Sequence, residues 1–284
     1  MHRENSSINC ALLIEYEYYK YAKHITVLFE VCSAKLYSKI VCVLLCEELG
    51  TNRSYLYRLR TLETKLNKVE LDKLKWRKIT AENLDLDYTV LLPQSVATCL
   101  LRHLESEVKY FSGDLARVYV YGRWHPIPRQ QVAFGDSGLS YKFSGNTVPA
   151  MAWPPALLHV RKILNELTGY DFNFVLVNRY RDGKDHIAEH RDDERELDPL
   201  VPIASLSLGQ ARDFIFKHRD ARKRGPNKRE VTPVKLLLEH GSLLLMNPPT
   251  NKLWFHSLPP RKSCSGVRLN LTFRRVLNIQ KPNS

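Results

Sequence analysis

The sequence of 284 residues contains no C-x-x-C pair, and its six cysteines follow no regular spacing. Closely paired cysteines are typical of structural zinc sites, and patterned cysteines are typical of small secreted domains held by disulfides. We therefore expect neither a cysteine-based zinc site nor a disulfide framework, and we expect a reducing intracellular compartment.

A long uncharged apolar run is also missing. The apolar stretch at residues 25–49 is interrupted by five charged residues: Glu30, Lys35, Lys39, Glu47 and Glu48. A membrane-spanning helix needs about 20 predominantly apolar residues in succession, and a signal peptide has its apolar region nearer the N-terminus. The sequence predicts no membrane span and no signal peptide, and it shows no internal repeat.

Acidic residues are few relative to basic ones. The chain has 43 Lys and Arg against 30 Asp and Glu, a formal net charge of +13, and 44% apolar residues. The apolar content is enough for one main core plus an appendage. The charge favours a polyanionic partner, either nucleic acid or an anionic membrane surface, although a basic protein without such a partner has the same composition.

The character of the sequence changes near residue 75. Residues 1–75 mix apolar and charged residues with little turn punctuation, and Leu59, Leu62 and Leu66 have helical spacing. We interpret residues 1–75 as an N-terminal extension, weakly helical or disordered, and residues 76–284 as the main domain. The basic passage at residues 65–78 is typical of a linker, a solvated helix face or a nuclear-import patch.

Short β-rich segments dominate the main domain. Helices are predicted at residues 94–110 and 155–168, the second with Leu157 and Leu158 on its apolar face and Gly169 at its end. Candidate strands are residues 117–121, 172–180, 203–208, 213–217, 234–238, 242–246 and 267–276. Mostly antiparallel strands with flanking helices indicate a mainly β sandwich or jelly roll.

His190 and Asp192 lie two residues apart, so on an extended segment both side chains project to the same side. If the fold brings His256 beside them, the three side chains occupy one face of an octahedral metal and leave the other face open, as in non-haem Fe(II) oxygenases. A His-x-Asp pair alone is weak support, since it is common by chance, and a zinc protein can use the same three ligands.

The segment VRLNLTFRR, which follows His256, alternates polar with apolar residues. Its polar side carries Arg268, Asn270, Thr272 and Arg274. An ordinary strand with one side in water gives the same pattern, but beside the metal candidates the arginines are suited to hold a small dicarboxylate. In FNFVLVNRY, Asn178 and Tyr180 interrupt an apolar face and are suitable donors for a carboxylate.

Four segments of the main domain resemble, in order, the AlkB family of Fe(II)- and 2-oxoglutarate-dependent dioxygenases. They are NRYRDGKDHIAEHRDDERELDP, PIASLSLGQARDFIFKHRD, HGSLLLMNPPTNKLWFHSLP and RLNLTFR. The resemblance covers about Trp76 to Leu277 and is greatest to the family member that acts on alkylated double-stranded DNA. The peptide with which that member binds the replication sliding clamp is not seen in residues 1–75.

The resemblance implies a double-stranded β-helix, a cupin-like jelly roll, with a nucleotide-recognition lid. It implies that His190, Asp192 and His256 bind Fe(II). It also implies contacts to 2-oxoglutarate from Asn178, Tyr180, Arg268, Thr272 and Arg274. We expect a bidentate pair between Arg274 and the distal carboxylate. Reaction with O2 would hydroxylate an N-methyl group and release succinate, CO2, formaldehyde and the restored base.

A methyl group inside a duplex is reached only when the nucleotide is flipped out of the stack. The hairpin tip of Val120, Tyr121 and Gly122 resembles the family's intercalating finger, with Tyr121 where the duplex-DNA member has phenylalanine. An aromatic wedge of this kind fills the gap left by the flipped base. The alternative for Tyr121 is an ordinary strand aromatic.

The segment GLSYKFSG resembles the family's lid over the flipped base. The further substrate-binding candidates are Arg129, Tyr141, Lys142, Phe143, Asp193 and Glu194. The base would stack between Phe143 and His190, while Asp193 and Glu194 would accept hydrogen bonds from it or orient Arg129. A solvated acidic run paired with neighbouring arginines is the alternative for the two carboxylates.

The insertion KHRDARKRGPNKR is strongly basic. Candidate contacts to the DNA backbone are Arg222, Lys223, Arg224, Lys228, Arg229, Arg261 and Lys262. Such residues position a duplex without reading its sequence, and they make binding weaken with salt. An exposed charged hairpin is the alternative.

These features together predict a monomeric nuclear enzyme that demethylates 1-methyladenine and 3-methylcytosine in double-stranded DNA. Two alternatives stay open. One is a demethylase of RNA or single strands from the same family, and the other is a DNA-binding module without catalysis.

Overall fold

The computed structural model describes residues 53–120, 122–143 and 146–277. The apolar stretch at residues 25–49 and the finger residue Tyr121 lie outside the described residues. The chain divides into two compact units, Met1–Tyr57 and Arg58–Ser284. A domain boundary at residue 75 stays a prediction.

The second unit is mainly β. Its strands are β1 (Arg77–Ala81), β2 (Leu84–Val90), β3 (Arg117–Val120), β4 (Arg123–Pro126), β5 (Gln130–Gly135), β6 (Ser140–Phe143), β7 (Asn146–Pro149), β8 (Phe174–Tyr180), β9 (Ile187–His190), β10 (Ile203–Gly209), β11 (Arg212–His218), β12 (Val234–Leu238), β13 (Ser242–Met246), β14 (Trp254–Leu258) and β15 (Arg268–Arg274). The described helices are α1 (Arg53–Leu66), α2 (Gln94–Glu107), α3 (Pro155–Thr168) and α4 (Thr250–Leu253).

Two antiparallel sheets form the body of this unit. The larger sheet has the strand order β1-β2-β13-β10-β15-β8-β5, and the smaller has the order β12-β11-β14-β9. One apolar cluster contains residues of both sheets, among them Leu86, Leu244, Phe216, Leu236 and Trp254. The inner faces of the sheets therefore pack on each other, and the predicted jelly roll is confirmed. Two separate hairpins, β3–β4 and β6–β7, complete the fold.

Helix α2 packs on the outer face of the larger sheet. Strand β8 is buried at every position except Arg179, which reaches α2 and makes a two-pronged ion pair with Glu105, at 2.8 and 2.7 Å. Two parallel N–H···O bonds of this type fix the orientation of both partners. The predicted helical spacing of Leu59, Leu62 and Leu66 is confirmed, because all three are buried on α1. Within the described ranges, no helix has the length and apolar character of a membrane span.

Helix α3 has the bounds that the sequence predicts. Proline is favoured in the first turn, where no hydrogen bond to its nitrogen is needed, and Gly169 ends the helix in the left-handed region with φ 74°. Leu157 is fully buried, but Leu158 is 40% exposed. Placing Leu158 on the apolar face was wrong, because the next residue along a helix points about 100° away from its neighbour.

The two adjacent leucines give a matched test of the core. Leu157→Ala is expected to lower the free energy of unfolding by about 2–5 kcal/mol, because it leaves a cavity in the packed interior. Leu158→Ala is expected to change it by no more than about 0.5 kcal/mol, as for most exposed positions. Urea denaturation followed by circular dichroism measures both, and equal losses would contradict this assignment of the packed face.

Candidate active site

The two histidines of the predicted metal site lie on neighbouring strands of the smaller sheet. His190 ends β9 and His256 lies in β14, and the two residues are direct partners in the antiparallel register. Their ring centroids are 4.3 Å apart. Asp192 follows β9 by two residues, and its side chain is turned inward and only 5% exposed. Strand pairing therefore brings together residues that are far apart in the sequence.

The three side chains are arranged as ligands of one ion. Their ligand atoms all lie within 4.8 Å of one another. Asp192 Oδ1 lies 3.8 Å from His190 Nε2, and Asp192 Oδ2 lies 4.0 Å from His256 Nε2. His190 Nδ1 bonds the carbonyl of Ala188 at 2.9 Å, which leaves the Nε2 lone pair directed toward the group. Two imidazole nitrogens and one carboxylate oxygen therefore surround a common centre.

Burial sets the protonation states of these groups. Burial and the neighbouring His190 lower the pKa of His256 to about 3, and burial also lowers the pKa of His190. Burial alone would raise the pKa of Asp192, but the Arg274 guanidinium and the two imidazoles outweigh it, so this pKa lies below its usual range. Neutral imidazoles and a carboxylate are the forms that bind a divalent metal.

A small cavity, partly open to solvent, lies between the two sheets at this group. Its other wall comes mainly from β8, β10 and β15. The lining residues besides the three candidate ligands are Leu176, Asn178, Tyr180, Ile187, Ser205, Phe214, Met246, Arg268, Asn270, Thr272 and Arg274. All five residues predicted to contact 2-oxoglutarate therefore lie on one cavity together with the metal candidates.

Arg268 is a buried cation without an acidic partner among the described residues. It is 1% exposed, its guanidinium lies 5.2 Å from the centre of the Tyr180 ring, and its Nη2 donates to Ser207 Oγ at 3.0 Å. Nε and Nη1 have no hydrogen-bond acceptor in the described structure. Burial lowers the pKa of Arg268 to about 10, so it stays charged at neutral pH. A buried charge of this kind is costly unless an anion neutralises it.

Arg274 lies at the other end of the cavity, against the metal candidates. Its Nη2 donates to Asp192 Oδ2 at 2.8 Å, and both side chains are 3% exposed. The pairing of Arg274 with the distal carboxylate of 2-oxoglutarate stays a prediction, and in the structure one nitrogen of Arg274 is already bonded to Asp192. Arg268, on the same strand and next to Tyr180, offers the unsatisfied donors instead.

Residues 89–274 match the family model described as the 2OG-Fe(II) oxygenase superfamily. The DNA oxidative demethylase ALKBH2 of Mus musculus is 55% identical over 212 residues, 75% of this chain and 88% of that protein. The protein of the same name from Homo sapiens is 54% identical over 206 residues, 72% of this chain and 78% of that protein. This chain belongs to the AlkB family of Fe(II)- and 2-oxoglutarate-dependent dioxygenases. The Alpha-ketoglutarate-dependent dioxygenase alkB homolog 3 of Rattus norvegicus is 37% identical over 153 residues, 54% of this chain and 51% of that protein.

The residues present fit the cofactors of the AlkB family, which are Fe(II), 2-oxoglutarate and O2. Two imidazoles and one carboxylate are the donor set of non-haem Fe(II) oxygenases. The unsatisfied nitrogens of Arg268 are the donors that a dicarboxylate needs at its far end.

Most of the predicted substrate-binding residues lie on the two hairpins or directly after Asp192, whereas Arg129 lies just before β5, is 7% exposed and donates to Asn178. Val120 ends β3, and Gly122 lies in the turn to β4 with φ 76°, a conformation that favours glycine. Tyr141, Lys142 and Phe143 lie on β6, which pairs with β7. The roles of these residues stay predictions.

Asp193 and Glu194 follow Asp192 directly, and all three line a second, open cavity with Pro248 and Asn251. Asp193 forms an ion pair with Arg191, as the alternative of a solvated acidic run predicts. A role of Asp193 and Glu194 in binding the base stays a prediction.

Four of the predicted DNA-backbone residues are already in ion pairs. Arg222 contacts Glu189 at 2.8 Å, Lys223 contacts Asp220 at 2.7 Å, Arg229 contacts Glu82 at 2.6 Å, and Arg261 contacts Asp213 at 3.6 Å. Arg224, Lys228 and Lys262 are exposed and have no ion pair with a described residue. Of the seven predicted DNA-backbone residues, these three alone have no ion pair with a residue that the structure describes.

Several site residues escape sequence reasoning. Ser205 and Ser207 line or support the cavity, and their alternation in the apolar strand IASLSLG is a signal of the same kind as VRLNLTFRR. Phe214 and Met246 look like ordinary core residues in the sequence and carry no such signal. Gln131 is also buried, at 6% exposure, and lies against Asn178.

The lowered pKa values of His190 and His256 give a pH prediction. We expect the affinity for Mn²⁺, an iron substitute, to change little between about pH 8 and about pH 6, since no proton has to leave either imidazole. Calorimetric titration at several pH values measures this. A loss of about fourfold or more over that range would show that at least one ligand imidazole titrates near its ordinary value.

Proposed function

We propose that this protein is a DNA repair dioxygenase that demethylates N-alkylated bases, chiefly 1-methyladenine and 3-methylcytosine, in double-stranded DNA. The observation that carries the proposal is the open group of His190, Asp192 and His256 facing the buried, anion-free Arg268 across one cavity. The choice of DNA as substrate is supported by the identity of 55% to a protein named as a DNA oxidative demethylase.

Different side chains of the site would bind the metal and orient its ligands. His190, Asp192 and His256 would hold Fe(II), and Arg274 would keep the Asp192 carboxylate oriented through its hydrogen bond at 2.8 Å. A partner that fixes a ligating carboxylate tunes the metal as well as the geometry. When bound, Fe(II) and 2-oxoglutarate supply the oxidation of an N-methyl group by O2, with succinate, CO2 and formaldehyde as products.

The cosubstrate would lie along β8 and β15. Arg268 and Tyr180 would bind its distal carboxylate, because Arg268 has nitrogens free of other acceptors and the Tyr180 ring packs against the guanidinium. Asn178 and Thr272 would contact the rest of the molecule. Leu176 and Phe214, apolar residues in the same wall, would limit the water that reaches the reacting atoms.

DNA would be bound by the hairpins and by the basic surface. Arg224, Lys228 and Lys262 have the exposed, unpaired charge that a phosphate needs. The finger residues Val120, Tyr121 and Gly122 would fill the gap left by the flipped base, and the residues at 141–143 would close over it. We further propose that the enzyme works as a monomer in the nucleus, where such a substrate is found.

The reaction itself is the first test. With Fe(II), 2-oxoglutarate and a duplex oligonucleotide containing 1-methyladenine, we expect one succinate for each methyl group removed, measured by mass spectrometry. Asp192→Ala is expected to abolish both products, because it removes the anionic ligand. Asp72→Ala, the loss of an exposed carboxylate, serves as the control and should leave them unchanged. Methyl removal without 2-oxoglutarate would rule out this mechanism.

A substitution in the finger distinguishes a demethylase of duplex DNA from a demethylase of single strands or RNA. Tyr121→Ala is expected to slow demethylation of a duplex at least about tenfold more than that of the same single strand, since only the duplex has to be opened. Rates on both substrates are compared with those of Tyr170→Ala, which removes an exposed aromatic residue elsewhere. Equal losses on the two substrates would favour the single-strand reading.

A further inference from the structure

Gln131 lies directly beside Asn178 inside the jelly roll. The two residues are register partners across β5 and β8, and they are 6% and 4% exposed. Gln131 Nε2 donates to Asn178 Oδ1 at 2.8 Å. In the sequence Gln131 stands in the polar run RQQ, which carries no sign of a role in the site.

A second donor settles which way the Asn178 amide faces. Arg129 Nε donates to the same Asn178 oxygen at 2.9 Å. An arginine has donors only, so the atom that faces it must be the amide oxygen and not the amide nitrogen. Because Gln131 faces that same oxygen, it must also present its own NH₂ group. Two donors thus occupy both lone pairs of Asn178 Oδ1.

The orientation of the Asn178 amide determines which of its groups faces the cavity. With its oxygen held on the β5 side, Asn178 can offer only its NH₂ group to a ligand in the cavity that it lines. A carboxylate needs a donor there, and the reversed amide would present an oxygen that repels it. The orientation of the Asn178 amide therefore decides whether a partial positive charge, from NH₂, or a partial negative charge, from the oxygen, faces the cavity.

We propose that Gln131 is a positioning residue for 2-oxoglutarate: it acts through Asn178 by locking the amide with its donor side toward the cosubstrate. The proposal rests on the proposed function, in which Asn178 contacts 2-oxoglutarate. Gln131 shares this task with Arg129, but only Gln131 has a near-isosteric substitution that reverses the hydrogen bond. A glutamate at this position accepts where glutamine donates, and it draws the Asn178 NH₂ group toward itself.

The test uses the full chain loaded with Mn²⁺ and measures the binding of 2-oxoglutarate by calorimetry. Gln131→Glu is expected to weaken this binding by about tenfold or more, the effect of one lost hydrogen bond to a charged group. The affinity for Mn²⁺ should stay as in the native chain, because Gln131 does not touch the ligands. Gln131→Leu, which removes the donor without reversing the amide, should weaken the binding of 2-oxoglutarate by a smaller factor.

Gln130→Glu is the matched control. Gln130 is the neighbouring residue on β5, and it accepts a hydrogen bond from Arg179 Nη1 at 2.8 Å, which a carboxylate also accepts. This variant should bind 2-oxoglutarate as the native chain does. If Gln131→Glu does not fold, judged by its thermal melt, the comparison of Gln131→Leu with the native chain decides.

Three outcomes would count against the proposal. Native-like binding of 2-oxoglutarate by the Gln131 variants would overturn the positioning role alone. A parallel loss of Mn²⁺ affinity would show a general loosening of the site and would also overturn it. If the native chain with Mn²⁺ binds no 2-oxoglutarate, the proposed function fails, and the role of Gln131 fails with it.

Discussion

The contact between Arg274 and Asp192 is the interaction on which the site depends. Asp192 is nearly fully buried between two imidazoles, and burial alone would favour its protonated form. The guanidinium of Arg274, from the opposite sheet, keeps the carboxylate ionised and fixes one of its oxygens at 2.8 Å. A single ion pair thus joins β15 of the larger sheet to the loop after β9 of the smaller one, and it prepares the ligand that a metal needs.

Buried charge in this jelly roll is organised for binding rather than for stability. An apolar replacement of similar volume is often as stable as a buried ion pair, so Arg268 and Arg274 are poorly explained as stabilising residues. Their strand is otherwise typical of a core, with Leu269, Leu271 and Phe273 fully buried on its other side. The buried guanidinium of Arg268, which has no anionic partner among the described residues, lowers the stability of the fold, and a bound dicarboxylate would offset this loss.

Much of this arrangement can be read from local pattern, because the chemistry is concentrated in strands with a period of two. The bounds of α3, β12 and β13 agree with the prediction, and the alternation in VRLNLTFRR identifies the residues of β15 that line the cavity. Strands β9 and β14 were missed, although they carry His190 and His256, two of the three candidate metal ligands. Strand β9, IAEH, has only four residues, and β14 begins immediately after the short helix α4, so no turn signal marks where β14 starts.

What sequence reasoning could not supply is the pairing across sheets. The partner of Arg274 is decided by which loop lies opposite β15, and the role of Gln131 appears only when β5 is placed against β8. Such contacts join residues far apart in the chain, and no local pattern encodes them. The five residues that the family resemblance implied for 2-oxoglutarate all line the cavity, but the resemblance did not indicate the contact between Arg274 and Asp192.

The ion pairs of the basic surface bear on how tightly a polyanion is held. Arg222, Lys223 and Arg229 each have a carboxylate neighbour, and Arg222 also packs on the Phe255 ring at 3.8 Å. A phosphate that approaches them has to displace an internal anion instead of loosely bound counterions from solution. The number of ions released on binding is then smaller than the count of lysines and arginines implies, so binding at this face depends less on the salt concentration than its charge would indicate.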